Sequence, residues 1–295
     1  MSSPSFKCIG LIGKYGDPSI RGILLTLSKY LKQHQFRIMV DESSAELLAD
    51  NGLEIASRRH IGENCDLVIV IGGDGSLLNV ARSLADYEIP LIGINQGRVG
   101  FLADVTPAGM IEKLDEILWG NYLKEDRILL HASTERGGMR INESFALNDV
   151  VVHKWNIGRM IEFDTFINGL FVNTLRSDGI IVATPTGSTA YALSSGGPIL
   201  HPKLNAMVLV PVSPHTMSNR PIVIDGDSRV EIRVKDSNPF HAQVTCDGQI
   251  NLDLAAGDLI KIRKHDKKIK LIHPANHDHY MVLRAKLQWG GRLDY

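Results

Sequence analysis

The stretch CDLVIVIGGDGSLLNVAR, residues 65–82, decides the reading of the fold. Leu67 to Ile71 is an unbroken aliphatic run, which suits a strand covered on both faces. Gly72, Gly73, Asp74 and Gly75 then form a turn, and Leu77 to Leu84 has helical spacing. In an open α/β sheet, ligands bind beyond the carboxyl ends of the strands, where this turn must lie. Three glycines let a polyphosphate approach the backbone, and the amides opening the next helix can donate to its oxygens. A carboxylate there would repel phosphate, so Asp74 fits better as the acceptor of a hydroxyl proton or as a group acting through a metal ion. A tight strand-to-helix connection capped by Asp74 would produce the same letters.

Working outward, Cys8–Ile12 and Phe36–Val40 read as strands, and Pro18–Lys32 as a helix between them. Ser44–Asn51 reads as a short helix closed by Gly52, and Ile89–Ile94 as a further strand. This alternation predicts a Rossmann-like α/β domain with a parallel sheet. A helix opening at Thr106-Pro107, with Thr106 as N-cap, and closing before Gly120 completes it. Beyond it come many short β-like runs, so the second domain is expected to be β-rich. The boundary is set by this change of pattern, giving residues 1–124 and 125–274.

The chain has 295 residues, 44% hydrophobic and 22% charged, with a net charge of −1. That is ordinary globular composition, with no global field for nucleic acid or an anionic membrane. No apolar run approaches the roughly 20 residues needed to cross a bilayer, and the first residues lack signal-peptide character. Cys8, Cys65 and Cys246 are far apart and read as buried thiols of a reducing cytoplasm.

Two standard nucleotide motifs are excluded. There is no GxxxxGK[ST] loop, and Leu78 occupies the place of the third glycine in a dinucleotide fingerprint. In the second half, Arg176-Ser177-Asp178-Gly179 leads through Ile180–Ala183 into the hydroxyl-rich Thr184-Pro185-Thr186-Gly187-Ser188-Thr189-Ala190-Tyr191. Such a loop could surround a ribose, with Tyr191 packing on a base. It could also be a surface turn. Asn148 and Asp149 interrupt an apolar run and need partners if buried. Pro214-His215 offers an imidazole in a turn. His273, His277 and His279 invite a zinc reading, but Pro274 and the absence of a nearby cysteine or second ligand pair favour a plain loop, so no metal is assigned to side chains. Lys264–Lys270 reads as a charged turn.

With these residues in view, the chain resembles the bacterial NAD kinases along nearly its whole length. The matching segments are IGGDGSLL (71–78), IGINQGRVGFL (92–102), ALNDVVVH (146–153), RSDGIIVATPTGSTAYALSSGGPIL (176–200), PHTMSNRPIV (214–223), CDGQ (246–249) and LIHP (271–274). The GGDG turn alone is shared with lipid kinases and phosphofructokinases; the 176–200 segment is far more specific.

The resemblance implies an α/β first domain, to which 275–295 return, and a β-sandwich-like second domain. It implies transfer of the γ-phosphate of ATP to the 2′-hydroxyl of the adenosine ribose of NAD, with Mg²⁺ or another divalent cation carried by ATP. It further implies a homotetramer or homodimer with sites between domains. Asp74 would be the general base, with Gly75 beside it and Gly72 and Gly73 in attendance. Asn148, Asp149, Arg159, Arg176, Asp178, Thr189, Ala190, Tyr191, Ala192, Leu193, Ser194 and Gln249 would line the NAD site, with His215 close by. Two departures from the family pattern stand out: Asp149 takes the place of a usual Glu, and Ser76 that of a usual Thr. A lipid or sugar kinase sharing the turn, and a non-catalytic NAD(H) sensor, remain the alternative readings.

Overall fold

The computed structural model describes residues 5–48, 52–97, 100–155, 160–216, 218–235, 242–255 and 257–289. The chain divides into two compact units, residues 1–126 with 269–295, and residues 127–268.

In the first unit the strands are β1 (Cys8–Gly13), β2 (Arg37–Asp41), β3 (Glu54–Ala56), β4 (Leu67–Ile71) and β5 (Leu91–Ile94). All pair in parallel in the order β3-β2-β1-β4-β5. The central strands β1, β4 and β5 are buried throughout, as strands covered on both faces require. The helices are α1 (Arg21–Gln33), α2 (Arg58–Asn64), α3 (Asp74–Ser83) and α4 (Met110–Leu118). Leu24, Leu27 and Leu31 of α1 and Leu114, Ile117 and Leu118 of α4 share one core with Ile9, Leu11, Ile69 and Ile92.

The structure corrects several sequence expectations here. The segment expected as a helix at Ser44–Asn51 is a 3-10 turn over Glu42–Leu48, and its last three residues lie outside the described set. β3 and α2 had no counterpart in the sequence reading; Ser57 caps α2 by accepting from the amide of His60. α4 begins at Met110 behind Gly109, not at Thr106, whose hydroxyl donates to the carbonyl of Ala108. Gly120 follows the end of α4 as expected, with φ +98°.

The second unit is built from strands. Those running into and through it are β6 (Tyr122–Arg136), β7 (Met139–Ala146), β8 (Asp149–Lys154), β9 (Ile161–Ile167), β10 (Leu170–Ser177) and β11 (Gly179–Ala183). They are followed by the short α5 (Tyr191–Ser194), then β12 (Ala206–Val212), β13 (Ile222–Asp225), β14 (Val230–Val234), β15 (Ala242–Cys246) and β16 (Ile250–Leu252). β13-β12-β11-β8-β15-β16 form an antiparallel sheet. β10, β9 and β14 form another, and its inner residues Ile161, Phe163 and Ile232 meet Val150, Val152, Ile180 and Val182 of the first in one core. Two antiparallel layers closing on an apolar interior make a sandwich.

β17 (Leu259–Pro274) starts on β14 and ends beside β5. Lys264–Lys270 is therefore mid-strand, not a turn. Long amphipathic stems let lysines sit in a strand with their heads at carboxylates: Lys264 pairs with Asp227, and Lys270 lies 3.5 Å from Glu88. Helix α6 (His279–Leu287) follows, capped by Asp278. Among the described residues no helix is long and apolar enough to cross a membrane.

Candidate active site

In the first unit the glycine-rich turn links β4 to α3. The amide of Gly72 donates to the carbonyl of Ile94 at 2.9 Å, and Gly73 serves as the N-cap of α3. Gly75 is exposed in the first turn and Asp74 is half-buried. The Asp74 carboxylate accepts from three consecutive amides: Phe101 to Oδ2 at 2.8 Å, and Leu102 and Ala103 to Oδ1 at 3.1 and 3.0 Å. This run of amides is a nest for an anion, and it fixes the carboxylate in the loop after β5. Gly100 makes the approach possible, since a Cβ there would lie 2.0 Å from Oδ1 of Asp74.

In the second unit a cavity of about 580 Å³ opens beside β8, β12 and β15. Its volume falls in the range of small-molecule sites. It gathers Asn148, Asp149, Asp178, Ala190 and Tyr191 from the sequence candidates. Asn148 reaches its place because β8 begins there and Gly187 lets the 184–188 turn press on it. A Cβ on Gly187 would lie 2.0 Å from the Asn148 carbonyl oxygen. That carbonyl accepts from the amide of Thr184 at 2.9 Å.

The hydroxyls of the Thr184–Thr189 stretch are hydrogen-bonded within the second unit. Thr184 donates to the carbonyl of Leu147 at 2.5 Å, Ser188 to that of Pro185 at 2.6 Å, and Thr189 to that of Thr186 at 3.1 Å. Thr186 accepts from the guanidinium of Arg127 at 3.1 Å. These hydroxyls brace the loop both within itself and against Leu147 and Arg127. Ala190 and Tyr191 are its residues that line the cavity, with the Tyr191 side chain half exposed.

The other candidates lie around this centre or outside it. Thr189 and Leu193 are partly buried, Ser194 is exposed and Ala192 is packed in the core. Arg176 is exposed at the end of β10, and its carbonyl accepts from the amide of the exposed His215 at 2.9 Å. Gln249 is exposed in the β15–β16 turn, and Arg159 lies outside the described residues.

Asp247 and Lys154 were not singled out from sequence. Asp247 accepts from three consecutive amides, Leu147 at 3.1 Å, Asn148 at 2.7 Å and Asp149 at 3.2 Å, while its own amide donates to the carbonyl of Asp149 at 2.9 Å. It holds this pose with φ +51°, a conformation that aspartate tolerates better than most residues. The only signal in the sequence was the Asp-Gly turn of CDGQ. Lys154 pairs with Asp178 at 2.6 Å across the cavity wall. Burial pushes the Asp149 carboxyl up to about 7, and the nearby charge of Asp247 pushes the same way.

A glycine-rich turn with a fixed carboxylate in one unit, and a nucleoside-sized cavity carrying several polar and charged side chains in the other, are the parts of a nucleotide-handling enzyme. Residues 9–122 match the model of the ATP-NAD kinase N-terminal domain, and residues 147–274 that of the ATP-NAD kinase C-terminal domain. The NAD kinase of Nitrosococcus oceani is 52% identical over 99% of this chain and 100% of its own length. That of Marinobacter nauticus is 48% identical over 98% of each. The chain belongs to the ATP-NAD kinase family, and it is a kinase of that family along its whole length.

Solved structures agree on the fold. An NAD kinase from Archaeoglobus fulgidus in complex with ATP superposes with TM-score 0.74 at 26% identity, over 95% of this chain and 98% of that one. A yeast NADH kinase complexed with NADH gives 0.88 at 23% identity, over 100% and 97%.

Proposed function

We propose that the chain transfers the γ-phosphate of ATP to the 2′-hydroxyl of the adenosine ribose of NAD, giving NADP and ADP, and that Asp74 receives the hydroxyl proton. The observation that carries the assignment of Asp74 is its fixation by the amides of residues 101–103 at the carboxyl end of the parallel sheet. A carboxylate offers about four lone-pair sites. Oδ1 takes two amides and Oδ2 one, so Oδ2 is the oxygen with room for a hydroxyl proton.

A carboxylate is too weak a base to ionise a free alcohol. The proton moves as the new bond to phosphorus forms and the hydroxyl acidifies, which is general-base catalysis in a step otherwise governed by positioning. ATP enters as its complex with Mg²⁺ or a similar divalent cation, so the cation belongs to the substrate. Asn148, Asp149, Asp178, Ala190 and Tyr191 bind NAD, with Gly75, Arg159, Arg176, Thr189, Ala192, Leu193, Ser194 and Gln249 as further contacts and His215 close by. We extend the same reading to a homodimer or homotetramer in the cytoplasm; the burial of all three free thiols supports a reducing compartment.

The test is direct. Purified protein with ATP, Mg²⁺ and NAD should form NADP, read by an NADP-specific dehydrogenase. No NADP with any nucleotide donor or divalent cation would refute the reading.

A further inference from the structure

Within the first unit, three ionisable side chains converge away from the glycine-rich turn. Asp104 lies in the segment after β5, His273 near the end of β17, and His277 in the loop before α6. Oδ2 of Asp104 stands 2.9 Å from Nδ1 of His273 and 2.8 Å from Nδ1 of His277. The rings stack with centroids 4.0 Å apart. The three side chains are only 9%, 1% and 11% exposed in that order. Glu125 Oε2 lies 3.5 Å from Nε2 of His273.

The hydrogen bonding of the cluster is lopsided. One oxygen of Asp104 takes both imidazoles, while Oδ1 is buried without a hydrogen-bond partner, as is Nε2 of His277. Buried polar atoms in folded proteins are nearly always satisfied, and an exception points to an ion or a water. The group is a carboxylate oxygen facing two imidazole nitrogens, with the ligand atoms all within 4.8 Å of one another.

We propose that Asp104, His273 and His277 bind a divalent cation of the zinc class, through one carboxylate oxygen and one nitrogen of each imidazole. Two imidazoles with one carboxylate suit Zn²⁺, Co²⁺ or Ni²⁺, whereas Mg²⁺ and Ca²⁺ favour all-oxygen sites. When a cation takes Nδ1 of a neutral histidine, the ring proton resides on Nε2. Glu125 stands where it would accept that proton from His273, the carboxylate support usual behind a metal-bound imidazole. The site would tie the C-terminal segment to Asp104, the residue directly after the three amides that hold Asp74. It is separate from the cation that travels with ATP, and its failure would leave the kinase reading intact.

The test uses the full chain without a histidine tag. Protein is stripped with EDTA, incubated with equimolar ZnCl₂ in excess Mg²⁺, desalted and analysed for zinc. The wild type should retain one Zn²⁺ per chain. His277→Ala and Asp104→Asn should retain less than a tenth of that, and His279→Ala should match the wild type. Co²⁺ in place of zinc should give visible ligand-field bands in the wild type and none in His277→Ala. Saturating zinc should raise the thermal midpoint by roughly 5 °C or more, and Mg²⁺ should not. Melting in EDTA confirms that the variants are folded. A wild type that retains no zinc overturns the proposal, and so does equal retention by the wild type and both variants.

Discussion

Each unit contains an aspartate that accepts three consecutive backbone amides, and the two put the same device to different uses. In the first unit Asp74 collects the amides of residues 101–103 and is itself the group proposed to meet the reacting hydroxyl. In the second, Asp247 collects those of residues 147–149 and thereby positions its neighbours Asn148 and Asp149. The first nest steadies the charge proposed to do chemistry. The second holds a charge that shapes the cavity wall. Asp149, a carboxylate lining that cavity, is pushed towards its neutral form by burial and by the nearby charge of Asp247.

The largest effect should follow from Asp74→Asn. The amide side chain keeps one oxygen for the nest but cannot take up the proton, so kcat should fall by roughly 10²- to 10⁴-fold with KM for NAD little changed. Steady-state kinetics decide it. Equal losses in binding and turnover would make Asp74 a positioning group, and the contrast with Asp247 would vanish.

Asp247→Ala should act through binding instead. Orphaning buried amides costs about 1–3 kcal/mol each, and a distorted 147–149 segment should raise KM for NAD by roughly 10- to 100-fold. Expected with it are a lower melting temperature and a kcat within a few-fold of wild type. A dominant loss of kcat would give the two nests the same role.

Smaller effects should come from the glycines that admit each nest. In Gly100→Ala the new methyl meets the end of a side chain, which can swing away. The protein should fold, with kcat reduced about tenfold because Asp74 leaves its amides. In Gly187→Ala the methyl meets the Asn148 carbonyl, which is backbone and cannot yield cheaply. Here the melting temperature should fall first. Circular dichroism melts and kinetics on the pair would show whether one unit tolerates adjustment and the other does not.

How much of this could be read in the sequence depended on distance along the chain. The aliphatic run Leu67–Ile71 and its glycine turn report a buried parallel strand from neighbouring residues alone. β3 escaped because it is three residues long with two of them exposed, and α2 because it carries only one buried residue, Ile61. The lysines of β17 imitated a turn because their partners, Asp227 and Glu88, are remote in sequence. The same limit applied at the site. Asn148 and Asp149 stood out as polar letters in an apolar run, but Asp247 meets them across 99 and 98 positions. Asp104 meets His273 across 169. That separation made the C-terminal histidines look like an ordinary loop when read without their carboxylate.

The finest test of the comparison is pH. Asp149 has a folded-state pKa of about 7 against an ordinary value near 3.8, so the folded chain holds its proton longer than the unfolded chain does. Its contribution therefore destabilises as pH rises from about 4 to about 7 and is constant above that. The full penalty is about 4 kcal/mol at 1.36 kcal/mol per unit. Asp149→Asn has the same shape and no charge to bury. Wild type and variant should melt closest together at or below about pH 4, and the gap should widen until the variant melts several degrees higher at pH 8. The wild-type KM for NAD should change by less than tenfold across neutrality, and that of the variant should stay flat. Parallel melting curves from pH 5 to pH 8 would mean that Asp149 ionises as an exposed carboxylate does. The second unit would then hold two charges as comfortably as the first holds one.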